Sequence, residues 1–351
     1  MSGRGASRAL SLVFAALLAW GLFGAALVAT RQPASGGDYV AIWGVKARAL
    51  ARTGSLASLV RIDPSGMASH PEYPPLWPLL LAGFSNLLGR YDDLFVTPLW
   101  PVLLLVGAAL VSLATKSERP FRLLGAAVFA LLPYFRTPLY VGYAEALLLV
   151  FLLAALREAR RLSEGRWATF RLAALLVLAA LTKQEGIFAA AVFAVLLFLS
   201  GRRKESLVSA GAVLAIGVLP WNLWLRFADA EPIRRDFALA SFDPSHGLAA
   251  ARALLKIAVV PNVGWIVGGA LLLFLAKETR RRRRFELAGA VLYSLGLVQA
   301  FAFTTLDPVW HVRWTWDRLA LVPIALLVPT LAEAAEEVLR PRQAPAESAP
   351  A

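Results

Sequence analysis

Apolar runs separated by short polar clusters occupy almost the whole chain. After the basic start of "MSGRGASRALSLVFAALLAWGLFGAALVAT", the runs lie at about 96–115, 123–134, 142–156, 172–182, 187–200, 206–226, 250–276, 285–305 and 318–335. Their lengths approach the roughly 20 residues that carry a helix across a bilayer, and the shorter ones need tilting or snorkelling flanks. The N-terminal apolar core is longer than the roughly 7–15 residues of a cleaved leader, so we read it as an uncleaved first span.

One run departs from this pattern. "SHPEYPPLWPLLLAGF" opens with polar residues and prolines, and its apolar part stops at Gly89-Arg90. Pro74, Pro75 and Pro78 cannot donate the backbone bonds of a regular helix interior. Basic clusters decide how this stretch runs: "KSERPFR" (116–122), "REARRLSEGRWATFR" (157–171), "GRRKE" (201–205) and "KETRRRRR" (277–284). If 75–89 does not cross, all four fall on the side of Arg4 and Arg8. That side then holds 21 of the 36 Lys and Arg residues in short loops, as cytoplasmic loops do. If it crosses, all four move outside. The expected architecture is therefore an all-α polytopic membrane protein with about ten spans and both termini cytoplasmic. A large outer loop, about 31–95, carries juxtamembrane helices. Residues 1–338 form one membrane core, and 339–351, "RPRQAPAESAPA" with its preceding residue, reads as a disordered cytoplasmic tail.

Composition fits this class. The 351 residues are 58% hydrophobic and 17% charged, with a mean hydropathy of +0.63. The net charge of +13 sits in inter-span clusters, so it does not point to nucleic acid. Without cysteine, disulfides and thiolate chemistry are excluded. His70, His246 and His311 lie far apart, and no HExxH spacing occurs. In the ten-span arrangement all nine aspartates and all three histidines fall at the outer side. The acids of the basic side are all glutamates, expected to be solvated among arginines.

Five outer elements carry candidate chemistry. In "GGDYVAIWGVKARALARTG", Asp38 can cap a surface helix whose Tyr39, Ile42, Trp43, Ala49 and Leu50 share a face. Lys46, Arg48 and Arg52 would then sit near headgroups. Asp38 can alternatively act as a general base. His70 and Glu72 precede the proline-rich run. Glu145, just inside an apolar helix in "LLPYFRTPLYVGYAEALLLV", is costly in a span and so a functional candidate, with Arg136 nearest in sequence. Lys183 and Glu185, in "LAALTKQEGIFAA", either end a hairpin or bind a phosphate. In "DPVWHVRWTWDRLALVP", Trp310, Trp314 and Trp316 fit an interfacial belt, and Arg318 can reach a phosphate. Together these place acids and bases from separate hairpins on one face.

The order "GGDYVAIWGVKA", "HPEYPPLWPLLLA", "GYAEAL", "LTKQEG", "WDRLALVP" resembles the membrane glycosyltransferases of the GT-C superfamily. The likeness is to the RgtA/B/C/D-like bacterial branch, related to protein O-mannosyltransferases and aminoarabinose transferases, and extends over nearly the whole chain. It implies transfer of a sugar from a polyprenyl-phosphate donor to a glycan, lipid or protein acceptor, on the periplasmic or exterior face of a bacterial inner membrane. By resemblance, Asp38 is the base and Glu145 a second catalytic carboxylate. Lys183 and Arg318 contact the donor phosphate. His70, Glu72, Tyr73, Arg136 and Glu185 border the substrate cavity. Relatives carry an aspartate where Glu145 stands, which leaves a divalent metal ion an open question, and no other cofactor is implied. The rival reading is a secondary transporter or lipid flippase, for which no internal duplication is visible. A third is a non-catalytic scaffold subunit of an envelope complex.

Overall fold

The structure, a computed structural model, describes residues 3–61, 70–131, 142–228 and 241–340. It is 83% helical, with no strand among the described residues. The helices are α1 (Gly3–Arg31), α2 (Gly44–Thr53), α3 (Leu76–Leu87), α4 (Leu99–Ala114), α5 (Arg119–Leu131), α6 (Glu145–Ala159), α7 (Arg166–Thr182) and α8 (Gln184–Leu199). They continue as α9 (Arg203–Phe227), α10 (Pro244–Leu275), α11 (Lys277–Arg282), α12 (Arg284–Phe303) and α13 (Pro308–Leu339). Five of them, α1, α9, α10, α12 and α13, are long and apolar enough to cross a membrane. The tail expected at 339–351 lies outside the described residues from 341 onward.

The centre of the bundle is α6, flanked by α4, α7 and α13. Its Leu147, Leu148, Leu149, Leu152, Leu153 and Leu156 are all buried. Buried small side chains recur through the bundle, among them Ala126 and Ala130 on α5, Ala179 and Ala180 on α7, and Ala325 and Ala332 on α13. Small residues let backbones approach closely, which is how helices gain dispersion energy where solvent supplies little driving force.

Helix α3 has 12 residues, about 18 Å at 1.5 Å per residue, well short of a hydrocarbon core. It packs on α2. The loop it belongs to begins and ends at one place. The Ala34 amide donates to the Asp93 carbonyl at 3.2 Å, the Tyr39 hydroxyl donates to the Asp93 carboxylate at 2.8 Å, and the Thr97 hydroxyl donates to the Ala29 carbonyl. The end of α1 and the start of α4 are therefore neighbours, and α3 lies at that same end of the bundle.

The four basic turns gather at the opposite end, together with the end of α13. There, buried arginines and glutamates tie the helices together. Arg160 donates to Glu286 at 2.6 Å and to the Ala114 carbonyl. Arg283 donates to Glu333 at 2.7 Å and faces Glu286 at 3.5 Å, and the Lys116 amide donates to Glu333 at 2.6 Å. Glu158, Glu286 and Glu333 are buried, which corrects the expectation of solvation for these three, while Glu118, Glu164 and Glu278 are exposed as expected. An arginine supplies several donors in a fixed fork, so one side chain can satisfy a carboxylate and a helix-end carbonyl at once.

Candidate functional site

Each charged group of the site is placed by a helix end. Lys183 is the single extended residue between α7 and α8, ending one helix and starting the next. The chain can turn so sharply because position 186 is glycine: an added Cβ would overlap the Ala179 carbonyl. Glu145 opens α6, where the helix dipole favours a carboxylate. Before it, Gly142 takes a left-handed φ of 94° and lies against the Tyr39 ring, where a Cβ would sit 2.7 Å from a ring carbon. Asp38 lies seven residues beyond the end of α1, at the start of the helical segment 39–43, and Arg318 stands on α13 just before the break at Ala320.

These four converge. Lys183 donates to Glu145 at 2.6 Å and contacts Glu185 at 2.8 Å. The Arg318 guanidinium is paired with Asp38, lies 3.9 Å from the same Glu145 oxygen, and stacks 4.8 Å from the Tyr143 ring centroid. Three carboxylates thus surround two cations. The cluster is graded in depth: the Lys183 and Glu145 side chains are 4% exposed, Arg318 12%, Glu185 21% and Asp38 23%. The second Glu145 oxygen is buried with no hydrogen-bond partner.

Asp38 occupies the N-cap position of the helical segment 39–43, yet its side chain makes no capping bond. The capping role open to it in the sequence is not the one it plays. On the same segment Tyr39, Ile42, Trp43 and Leu50 are buried as expected, but Lys46 is buried too. It is not at a headgroup level: its ammonium donates to the His70 carbonyl at 2.6 Å. Burial lowers its pKa to about 7, opposed by the nearby Glu72 charge. Arg48 does remain half-exposed, 3.6 Å from Asp93, and Arg52 is exposed.

His70, Glu72 and Tyr73 form a second group beside the first. His70 Nδ1 is 3.0 Å from Glu72 Oε1, and the His70, Tyr73 and Trp43 rings stack in series at 4.7 and 5.4 Å. His70 has a left-handed φ of 46°, unusual for a residue with a Cβ. Of the expected site residues, Arg136 lies outside the described ones.

A cavity of about 430 Å³ has Glu72 of the second group in one wall and Gln184, the sequence neighbour of Lys183 and Glu185, in another. Phe188, Trp221 and Asn222 complete its polar and aromatic lining. Two lining groups are buried and unsatisfied, Glu72 Oε2 and Trp221 Nε1. Buried polar atoms of this kind carry a desolvation cost of about 1–3 kcal/mol each until a partner arrives. The Tyr293 ring packs at a tilt against Phe188, centroids 4.9 Å apart, and its hydroxyl is likewise buried without a partner. Tyr143, Trp221 and Tyr293 escape a reading of the sequence. The available signal was weak: a polar-tipped aromatic in the middle of an apolar run, as in "AVLYSLGLVQA".

No group of three side chains able to hold a metal ion occurs among the described residues. Comparison of the chain with protein-family models, curated proteins and solved structures gives no match.

Proposed function

We propose that the chain is a membrane-embedded glycosyltransferase that takes a sugar from a polyprenyl-phosphate donor and passes it to a hydroxyl of a glycan, lipid or protein. The observation that carries this reading is the ionic cluster of Asp38, Glu145, Lys183 and Arg318 opening beside the Glu72–Trp221 cavity. Unpartnered donors and acceptors interleaved with aromatic faces match a polyol, which has hydroxyls at its rim and C–H groups on its faces.

The cluster already balances its cations, so a phosphate must replace carboxylates rather than fill a vacant cationic site. Arg318 and Lys183 would turn from Asp38 and Glu185, its two most exposed partners, to the donor phosphate. That exchange frees the Asp38 carboxylate. The acceptor oxygen then attacks the anomeric carbon, the carbon–oxygen bond to phosphate breaks with inversion, and the acceptor proton passes to Asp38. The leaving phosphate keeps its negative charge against Arg318 and Lys183.

In the bilayer, α1, α4 to α10, α12 and α13 without α11 supply ten crossings, with α3 lying at one surface. The shorter ones, α4 to α8, have 13–17 residues and require local thinning or snorkelling. The gathering of the basic turns at one end supports a cytoplasmic placement of that end, which leaves the cluster facing the exterior of a bacterial inner membrane. A cysteine placed within 277–284 should then label only after permeabilisation.

The test is a transfer assay with the purified full chain and a polyprenyl-phosphate sugar, alongside mass spectrometry of envelope glycans with and without the gene. A gene-dependent glycan and transfer in vitro support the reading. Unchanged glycans together with solute or lipid movement in proteoliposomes would replace it with the transporter.

A further inference from the structure

At the end of the bundle remote from the ionic cluster lies a second cavity, about 500 Å³ in volume, lined by Lys277, Arg280, Arg281, Arg284, Leu287 and Ala288. We propose that it seats the phosphate headgroup of an acidic phospholipid of the surrounding bilayer. The inference rests on the bundle lying in a membrane, not on the transferase reading.

Charge is the first argument. All four basic side chains are exposed, and no carboxylate lines the cavity. Of the nearby acids, the Glu278 side chain is exposed and does not line the cavity, and three others are already engaged. Glu286 and Glu333 are held by Arg160 and Arg283, and Glu337 accepts from the backbone amides of Glu278 and Thr279 at 3.0 and 2.7 Å. The five-arginine run is thereby divided in function. Arg283 turns inward as a helix tie, while Arg280, Arg281 and Arg284 join Lys277 in placing four positive charges around one hollow. Cations so close together repel one another unless an anion sits between them.

The second argument is the apolar floor. Leu287 and Ala288 belong to α12, whose exposed side continues along Val291 and Leu295. Helix α10 ends beside the cavity and exposes Leu271, Phe274 and Leu275, and Arg280 extends over the Phe274 ring at 5.9 Å. Both helices pack on α13. A basic rim meeting apolar helix faces matches a phosphodiester that carries acyl chains, and basic pockets of this kind between membrane helices bind anionic headgroups. A free phosphate or an acidic protein segment would make no use of the apolar faces.

The test uses the delipidated full chain in detergent and native mass spectrometry during titration with phosphatidylglycerol. Phosphatidylcholine and inorganic phosphate are the comparison ligands. We expect saturable phosphatidylglycerol binding, little phosphatidylcholine binding, and no displacement by inorganic phosphate at comparable concentration. The variant Arg280→Gln/Arg281→Gln/Arg284→Gln should bind about five-fold more weakly per charge removed. The variant Arg202→Gln/Arg203→Gln/Lys204→Gln, which removes equal charge from another turn of the same end, should bind normally. Equal binding by wild type and the first variant, equal loss in both variants, or displacement by inorganic phosphate would each overturn the proposal. Should the triple variant not remain monodisperse, Arg280→Gln and Arg284→Gln singly read the same cavity, each expected to lose about five-fold.

Discussion

Arg318 is ion-paired with Asp38 across 280 positions of sequence. The pair brings the segment after the first helix to the first half of the last one, and both members remain partly open to solvent while the Lys183–Glu145 pair behind them is closed.

Asp38→Asn tests what the outer pair does. Asparagine caps helices about as well as aspartate, and Asp38 makes no capping bond here, so the variant should fold and reach the membrane. Transfer should fall by about 10²–10⁴-fold, the usual contribution of a general base. Near-normal turnover in a purified transfer assay would show that Asp38 serves only to hold Arg318.

Lys183→Gln acts on the closed pair and should do two separable things. It leaves Glu145 buried against a neutral partner, with Arg318 3.9 Å away as its remaining cation. Breaking a buried pair costs about 3–5 kcal/mol, so Tm should drop markedly. Glu145→Gln/Lys183→Gln removes the unpaired charge and should recover much of that loss. Donor affinity should weaken about 10–100-fold in both variants, as loss of a charged hydrogen bond to phosphate does, with acceptor affinity little changed. If the double variant regains donor affinity along with Tm, the lysine is structural and Arg318 alone holds the phosphate.

Lys46 gives the fold a pH dependence. Its pKa is lowered from 10.5 to about 7 on folding. Between those values the unfolded chain binds a proton that the folded chain does not, so stability rises with pH through this window. Below about 7 both states are charged and the full burial cost is present. Lys46→Met, which keeps the length and removes the charge, should therefore exceed wild type in Tm by more at pH 6 than at pH 10. A difference that stays constant across the window would show that the ammonium is compensated by Glu72 at every pH.

Gly186→Ala places a methyl group against the Ala179 carbonyl. Backbone cannot give way as a flexible side chain does, so the α7–α8 hairpin must open. Overpacking of this type costs about 1–3 kcal/mol, and donor binding should fall with Tm because Lys183 sits in the same turn. Unaltered Tm in detergent would show that the hairpin has slack.

Much of the fold can be read from apolar runs, because a helix surrounded by lipid or by other apolar helices must itself be apolar. Asp38, Glu145, Lys183 and Arg318 were legible for the complementary reason: an ionisable group in such surroundings needs a partner. Lys46 was misread because its helix has the periodicity of a surface helix, and sequence does not reveal that another segment's carbonyl, that of His70, covers the polar side. Arg160 and Arg283 look like any loop arginines, and only the meeting of four helix ends makes them interior. The Glu72–Trp221 cavity could not be read at all, since it arises between elements far apart in the chain.

The two buried ion networks stand at opposite ends of the same helices; Glu145 and Arg160 are separated by α6, about 22 Å of helix. Both are completed from the last part of the chain, by Arg318 at one end and by Arg283, Glu286 and Glu333 at the other. At about 5–20 residues per second of synthesis, Asp38 emerges tens of seconds before its partner exists. Until then Asp38 and Arg160 lack the partners that neutralise them, while the Lys183–Glu145 pair is already complete. A chain stalled before its last two helices is thus marked by two unpaired charges, one at each end of the bundle, that the finished fold neutralises.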